Sequence, residues 1–212
     1  MAGAGRVALL GDSIFDNAAY VPREPDVIAQ VQAALPPGWD AVLLAVDGAA
    51  ASDVQHQVEH FDEGVTHLFV SAGGNDALNE SQVLAHRVES VGEAQRLIAE
   101  SQSRFRRSYR AMLDRLLAVR RPLTVCTVYD AIPGLDDAAR TALSAFNDVI
   151  LRAAFSVHAP VIDLRLVCNE AADYSSISPI EPSARGGAKI AAAVVRVAVD
   201  HNFSVGRTVV YP

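Results

Sequence analysis

Five short, unbroken apolar runs punctuate the chain, at 6–10, 41–46, 67–72, 123–128 and 161–164. Each is rich in Val, Leu or Ile and lacks an in–out alternation, the pattern of parallel strands covered on both faces. Between them, apolar positions recur at helical spacing over 24–35, 53–61, 81–88, roughly 91–118, 136–155 and 183–199. Alternating strands and helices predict βαβ units, and right-handed crossovers then give a three-layer αβα sandwich on a parallel sheet of about five strands. Pro36-Pro37-Gly38 stops the first helix, Arg121-Pro122 ends the longest, and Glu181-Pro182-Ser183 opens the last. No repeat or linker divides residues 1–212, so one domain is expected. The tail at 203–212 reads as an extended segment lying on that domain or against a second subunit.

Composition narrows the partners. A chain of 212 residues with half of them hydrophobic can bury a sizeable core. Its formal charge of -7 argues against nucleic acid or an anionic membrane surface. Arg104, Arg106, Arg107 and Arg110 read as the solvated face of a helix. Cys126 and Cys168 form neither a zinc-ligand spacing nor a disulfide framework, the amino terminus shows no secretory pattern, and no apolar run approaches a membrane span. A cytoplasmic protein is the expectation.

The chemistry starts at Gly11-Asp12-Ser13-Ile14, directly after the first strand. A serine where a buried strand ends sits at the carboxyl edge of the sheet, where open α/β folds bind ligands. Ser13 is therefore a candidate nucleophile, although Gly, Asp and Ser are also ordinary turn and cap residues. The loop after the second strand begins Asp47-Gly48-Ala49, and the loop after the third runs Gly73-Gly74-Asn75-Asp76. Acyl transfer needs a nucleophile, a base and donors aimed at the developing oxyanion. A glycine can offer its backbone N–H to a ligand, and an asparagine carboxamide adds a neutral donor. The structural alternatives are that Gly48 only relieves a tight turn and that Asn75 only caps the residues from Ala77 onward.

In order and spacing, Ser13 in Gly-Asp-Ser, Gly48, and Asn75 in Gly-Gly-Asn-Asp resemble the first three sequence blocks of the SGNH, or GDSL, hydrolases. The resemblance runs from Arg6 to about Ala198. It implies a flavodoxin-like sheet, no cofactor or metal, and hydrolysis of a small acyl ester or thioester, with Ser13 as nucleophile and Gly48 and Asn75 as oxyanion donors. The family's fourth block, Asp-x-x-His-Pro-Ser, should precede the last helix. Here that stretch is Ser178-Pro179-Ile180-Glu181-Pro182-Ser183, which puts Glu181 in the histidine's place and Ser178 in the aspartate's.

Glu181 then has two readings. As the base it needs a pKa raised by burial or by neighbours such as Asp12, Asp76 or Asp173; as a helix-start anion it only favours the dipole of the last helix. Of the histidines, His67 and His158 open strands at the wrong edge, His60, His86 and His201 read as surface residues, and His56 is the nearest substitute because its helix starts by the Gly48 loop. Phe15, Tyr20 and Phe61 are candidate pocket walls, with Phe61 better read as core. Two alternatives follow. One is a catalytically impaired protein that binds an acylated small molecule or carbohydrate in the same pocket. The other is a magnesium site on Asp12, Asp16 and Asp76, weakened by the absence of a phosphate loop.

Overall fold

A computed structural model describes residues 4–60 and 62–212; Phe61 lies outside the described residues. Six strands form one sheet: β1 (Gly5–Gly11), β2 (Trp39–Leu43), β3 (His67–Ser71), β4 (Leu123–Cys126), β5 (Val161–Ile162) and β6 (Val210–Tyr211). Their order is β2-β1-β3-β4-β5-β6, and every neighbouring pair is parallel. The helices are α1 (Val27–Ala34), α2 (Val54–Gln57), α3 (Gly74–Asn79), α4 (Val91–Ala118), α5 (Asp137–Ser156), α6 (Leu164–Val167) and α7 (Ala184–Asp200).

Alternate strand residues feed two separate cores, as the pleat requires. Val7, Leu9, Phe69, Cys126 and Ile162 pack with Val27 and Val31 of α1 and with Ile190, Val194 and Val197 of α7. Ala8, Leu10, Leu68, Val70, Val125 and Val161 pack with Phe105, Met112 and Leu116 of α4 and Phe146 and Ile150 of α5. The strands read as continuous apolar runs because both faces are covered; each fully buried Val, Leu or Phe contributes roughly 1.5–3 kcal/mol. Side-chain caps start the longer helices where expected: Asp26, Ser90, Asp136 and Ser183 accept from the N–H groups of Ala29, Glu93, Ala139 and Gly186.

The strand ends depart from the apolar pattern for identifiable reasons. Past Leu43, the N–H groups of both Leu44 and Ala45 turn to the Leu9 carbonyl, so β2 stops before Val46. The run at 123–128 stops pairing at Cys126, because the Asn147 carboxamide on α5 takes over both the N–H and the C=O of Val128, at 2.8 Å each. The segment 53–61 divides into α2 and a 3-10 turn, Val58–His60, and 81–88 holds only a 3-10 turn, Ser81–Ala85. Helix α3 escapes the sequence pattern because it starts on Gly73-Gly74, poor helix formers. The tail supplies the sixth strand, β6, beside β5.

This strand order creates the site. The connection from β1 leads by α1 to β2 at one edge, whereas that from β3 leads by α4 to β4 on the other side, so the loops after β1 and β3 diverge. Such a switch point opens a crevice at the carboxyl ends of the strands. Among the described residues no helix is long and apolar enough to cross a membrane.

Candidate active site

Gly11 ends β1 with φ 121°, and a Cβ there would sit 1.7 Å from the Ser71 carbonyl oxygen of β3. Only glycine permits that approach, which lets the chain turn sharply at the switch point. The turn is held from below by buried Gln57 of α2, whose carboxamide accepts from the Gly11 N–H and donates to the Gly11 C=O, both at 2.7 Å. Asp12 then folds its own loop: its carboxylate accepts from the Ile14 N–H at 3.1 Å, and its carbonyl accepts from Phe15 and Asp16. Ser13 is left at the floor of a cavity of about 200 Å³.

Asn75 and Glu181 line the same cavity. Asn75 lies inside α3, so it is not a cap, and its Nδ2 donates to the Ala49 carbonyl at 3.0 Å. That bond ties the β3 loop to the β2 loop one residue beyond Gly48. Gly48 has φ 80° in a turn closed by the Ala49 N–H on the Val46 carbonyl, and it lines a separate depression that also includes His56. Ser13, Asn75 and Glu181 are therefore brought to one cavity, whereas Gly48 lines a different one.

Glu181 is 5 % exposed and is positioned by backbone on both sides. Its N–H donates to the Ser178 carbonyl at 3.0 Å, and its carbonyl accepts from the Ser175 N–H at 2.8 Å. The flanking carbonyls are tethered as well: Ile180 accepts from the Tyr129 hydroxyl at 2.7 Å, and Pro182 from the buried Asn17 carboxamide at 3.1 Å. Capping of α7 falls to Ser183, not to Glu181. The carboxylate interacts with the Ser13 hydroxyl, and its Oε2 is buried without a hydrogen-bond partner.

Burial pushes Glu181 up to about 7; the Ser13 hydroxyl opposes the rise and Asp47 adds to it. Asp12 also rises to about 7, chiefly by burial, with the Ile14 N–H opposing and Glu181 and Asp76 contributing repulsion. Burial likewise raises Asp76, against the pull of the Ala51 N–H that its carboxylate accepts at 2.9 Å. Two buried carboxyls poised near neutrality beside a serine are the unusual electrostatic feature of this cleft.

Other candidates lie elsewhere. None of the histidines whose side chains are described lines the cavity. His67 sits between Trp39 and Phe203, and His201 meets the Tyr211 hydroxyl. Phe15 is core, and the Tyr20 hydroxyl donates to Asp47 at 2.8 Å, outside the cavity. Asp173 is fully buried and pairs with Lys189 at 2.7 Å, well removed in role from the cleft. Asp12, Asp16 and Asp76 each accept a backbone N–H, from Ile14, Asp47 and Ala51, and among the described residues no group of three potential ligands is arranged around a metal. Cys126 and Cys168 are buried free thiols. Gln57, Asn17 and Tyr129 carry no local motif; their roles depend on partners far away in sequence.

The fold is shared with solved esterases and lipases. A lipase from a goat rumen metagenome superposes with a TM-score of 0.71 at 19% identity, covering 94% of this chain and 100% of that one. An extracellular lipase from Streptomyces rimosus gives 0.63 at 18% identity, covering 92% and 100%. A variant of an acetyl xylan esterase from Geobacillus stearothermophilus gives 0.67 at 17% identity, covering 93% and 96%. No curated protein sequence matches the chain. The model of the GDSL-like lipase/acylhydrolase family matches residues 9–189, and this chain belongs to that family.

Proposed function

We propose that this protein hydrolyses a small acyl ester or thioester, with Ser13 as nucleophile and Glu181 as the base in the position where relatives carry histidine. The observation that carries the reading is that Ser13 and the buried Glu181 line one cavity, with the Glu181 Oε2 buried and without a hydrogen-bond partner. The Ser13 Oγ attacks the acyl carbonyl carbon while its proton passes to the Glu181 carboxylate. The oxyanion so formed is met by N–H donors of Ser13, Gly48 and Asn75. Collapse breaks the bond to the alcohol or thiol, which leaves with the proton from Glu181. Water then attacks the acyl-serine, giving its proton to Glu181, and collapse breaks the bond from the acyl carbon to Ser13 Oγ, which takes that proton back from Glu181 as the acid departs.

A base must be deprotonated at working pH yet basic enough to accept a proton, and a carboxyl raised to about 7 meets both requirements near neutrality. The reading is tested with p-nitrophenyl esters across pH 5–9 and with fluorophosphonate labelling of Ser13. Turnover and labelling, both lost in Ser13→Ala, are expected. A silent protein that gains activity on Glu181→His with Ser178→Asp would instead identify a binding protein that has lost catalysis.

A further inference from the structure

The cavity beside Ser13 is far more apolar than ester chemistry requires. Its walls come from α3, the 3-10 turn at Ser81–Ala85, α4, α5 and the loop after β4, and include Leu78, Leu84, Ile98, Ile132, Leu143 and Phe146. Three of the polar groups away from Ser13 are already engaged: the Tyr129 hydroxyl with Ile180, the Ser101 hydroxyl with Glu80 at 2.9 Å, and Glu80 with Arg104 at 2.6 Å. A sugar held there would find few free partners and would lose its hydration. The Glu80–Arg104 pair also pins the end of α3 onto α4, so the outer wall is fixed before a ligand arrives.

Resting on the esterase reading, we infer that this cavity holds the acyl chain of the substrate, selecting neutral esters of medium-chain acids over acetyl esters. A dry cavity of about 150 Å³ accommodates a six-carbon ring, so about 200 Å³ suits a chain of about six to eight carbons. Each methylene buried improves binding about three- to fourfold until the space is filled. A second selection comes from Asp12 and Glu181, which line the same cavity: in their ionised forms they favour a neutral ester over the carboxylate released from it.

Two measurements separate this inference from the reading it rests on. The first is calorimetric binding of n-alkyl methyl ketones, from acetone to 2-dodecanone, to the wild-type protein. These probes are neutral and carry a carbonyl but no bond to hydrolyse. Affinity is expected to climb with each methylene to about eight carbons and then level off, with a negative heat-capacity change. Ala142 and Ala139 are half-buried cavity residues on α5. Ala142→Leu should lower the affinity ratio of 2-decanone to 2-butanone at least tenfold, and Ala139→Leu serves if the first variant does not fold. The second measurement is kcat/KM for p-nitrophenyl acetate through dodecanoate, where the same optimum and the same shift are expected. Ketone affinity that is flat with chain length, or indifferent to both variants, overturns the acyl assignment even if esters are hydrolysed. Length-dependent ketone binding without hydrolysis of any ester supports the pocket and overturns the esterase reading.

Discussion

Replacing Glu181 by Gln keeps the side-chain shape and removes both the proton acceptor and the buried charge, so one substitution tests two consequences of the same carboxyl. In the folded protein Glu181 rises from an ordinary 4.5 to about 7. Between those values the folded state binds more protons than the unfolded state, so this group's contribution to stability is most favourable below pH 4.5 and falls as pH rises towards 7, staying constant above it. At 1.36 kcal/mol per pKa unit the full rise corresponds to about 3 kcal/mol. The carboxyl faces a cavity open to water, and screening there reduces the effect to about 1–2 kcal/mol. Glu181→Gln should therefore stabilise the protein relative to wild type by about 1–2 kcal/mol more at pH 8 than at pH 4, a relative gain of roughly 3–6 °C in Tm for a chain of this size. At the same time kcat should fall about 10²- to 10⁴-fold, the usual worth of a general base. In the wild type, kcat/KM should drop about tenfold per pH unit below 7. Thermal unfolding at both pH values and ester hydrolysis across pH 5–9 read these effects. A Gln variant whose stability difference from wild type is the same at pH 4 and pH 8, or whose kcat is within a few-fold of wild type, refutes the assignment.

Further expectations concern the groups around that carboxyl. Asn75→Ala removes one proposed oxyanion donor and should lower kcat about 10²- to 10³-fold while leaving fluorophosphonate labelling detectable; unchanged kcat would take Asn75 out of the chemistry. Gln57→Leu leaves the buried Gly11 N–H without a partner and its C=O with only the Val46 N–H, and should cost about 2 kcal/mol, read as a lower urea midpoint at unchanged m-value. A loss below about 0.5 kcal/mol would show that the turn does not depend on this clasp. Asp12→Asn keeps an acceptor for the Ile14 N–H but deletes a charge that Glu181 repels, so the acidic limb of kcat/KM should move to lower pH; a limb that stays in place would mean that the two carboxyls titrate independently.

The sheet was legible because its strands are buried on both faces and leave short apolar runs rich in Val, Leu and Ile at the turn-bounded spacing of βαβ units. Strand β6 was not, since Val210–Tyr211 is too short to carry a period and is a strand only because β5 lies beside it. The ends of β4 and β2 depend on long-range contacts, Asn147 clasping Val128 and Leu9 accepting from Leu44 and Ala45, which apolar patterning does not encode. The same holds in the cleft. Ser13, Gly48 and Asn75 stand out because turn chemistry at strand ends limits what residues fit, and Glu181 because it interrupts an expected block. Asn17, Gln57 and Tyr129 do not, because a buried polar side chain looks like any other until its partner, 165, 46 or 51 residues away, is known.

The substitution of glutamate for histidine changes what the surrounding protein has to supply. An imidazole titrates near neutrality unaided but needs a hydrogen-bonded partner to fix its tautomer and direction, the role of the aspartate that Ser178 replaces. A carboxylate has no tautomer to fix, so that partner can be lost; what it needs is a raised pKa and a fixed position. Position comes from the backbone bonds of Glu181 to Ser175 and Ser178, and from Tyr129 and Asn17 holding the carbonyls on either side. The raised pKa comes from burial at the apolar cleft. An acyl chain entering that cleft would expel water and strengthen the same desolvation, so the walls that select the substrate also make the base more basic. With Glu181 as the proposed base, the loss of histidine and aspartate and the apolar lining of the cavity become one feature: a hydrogen-bonded base exchanged for a desolvated one.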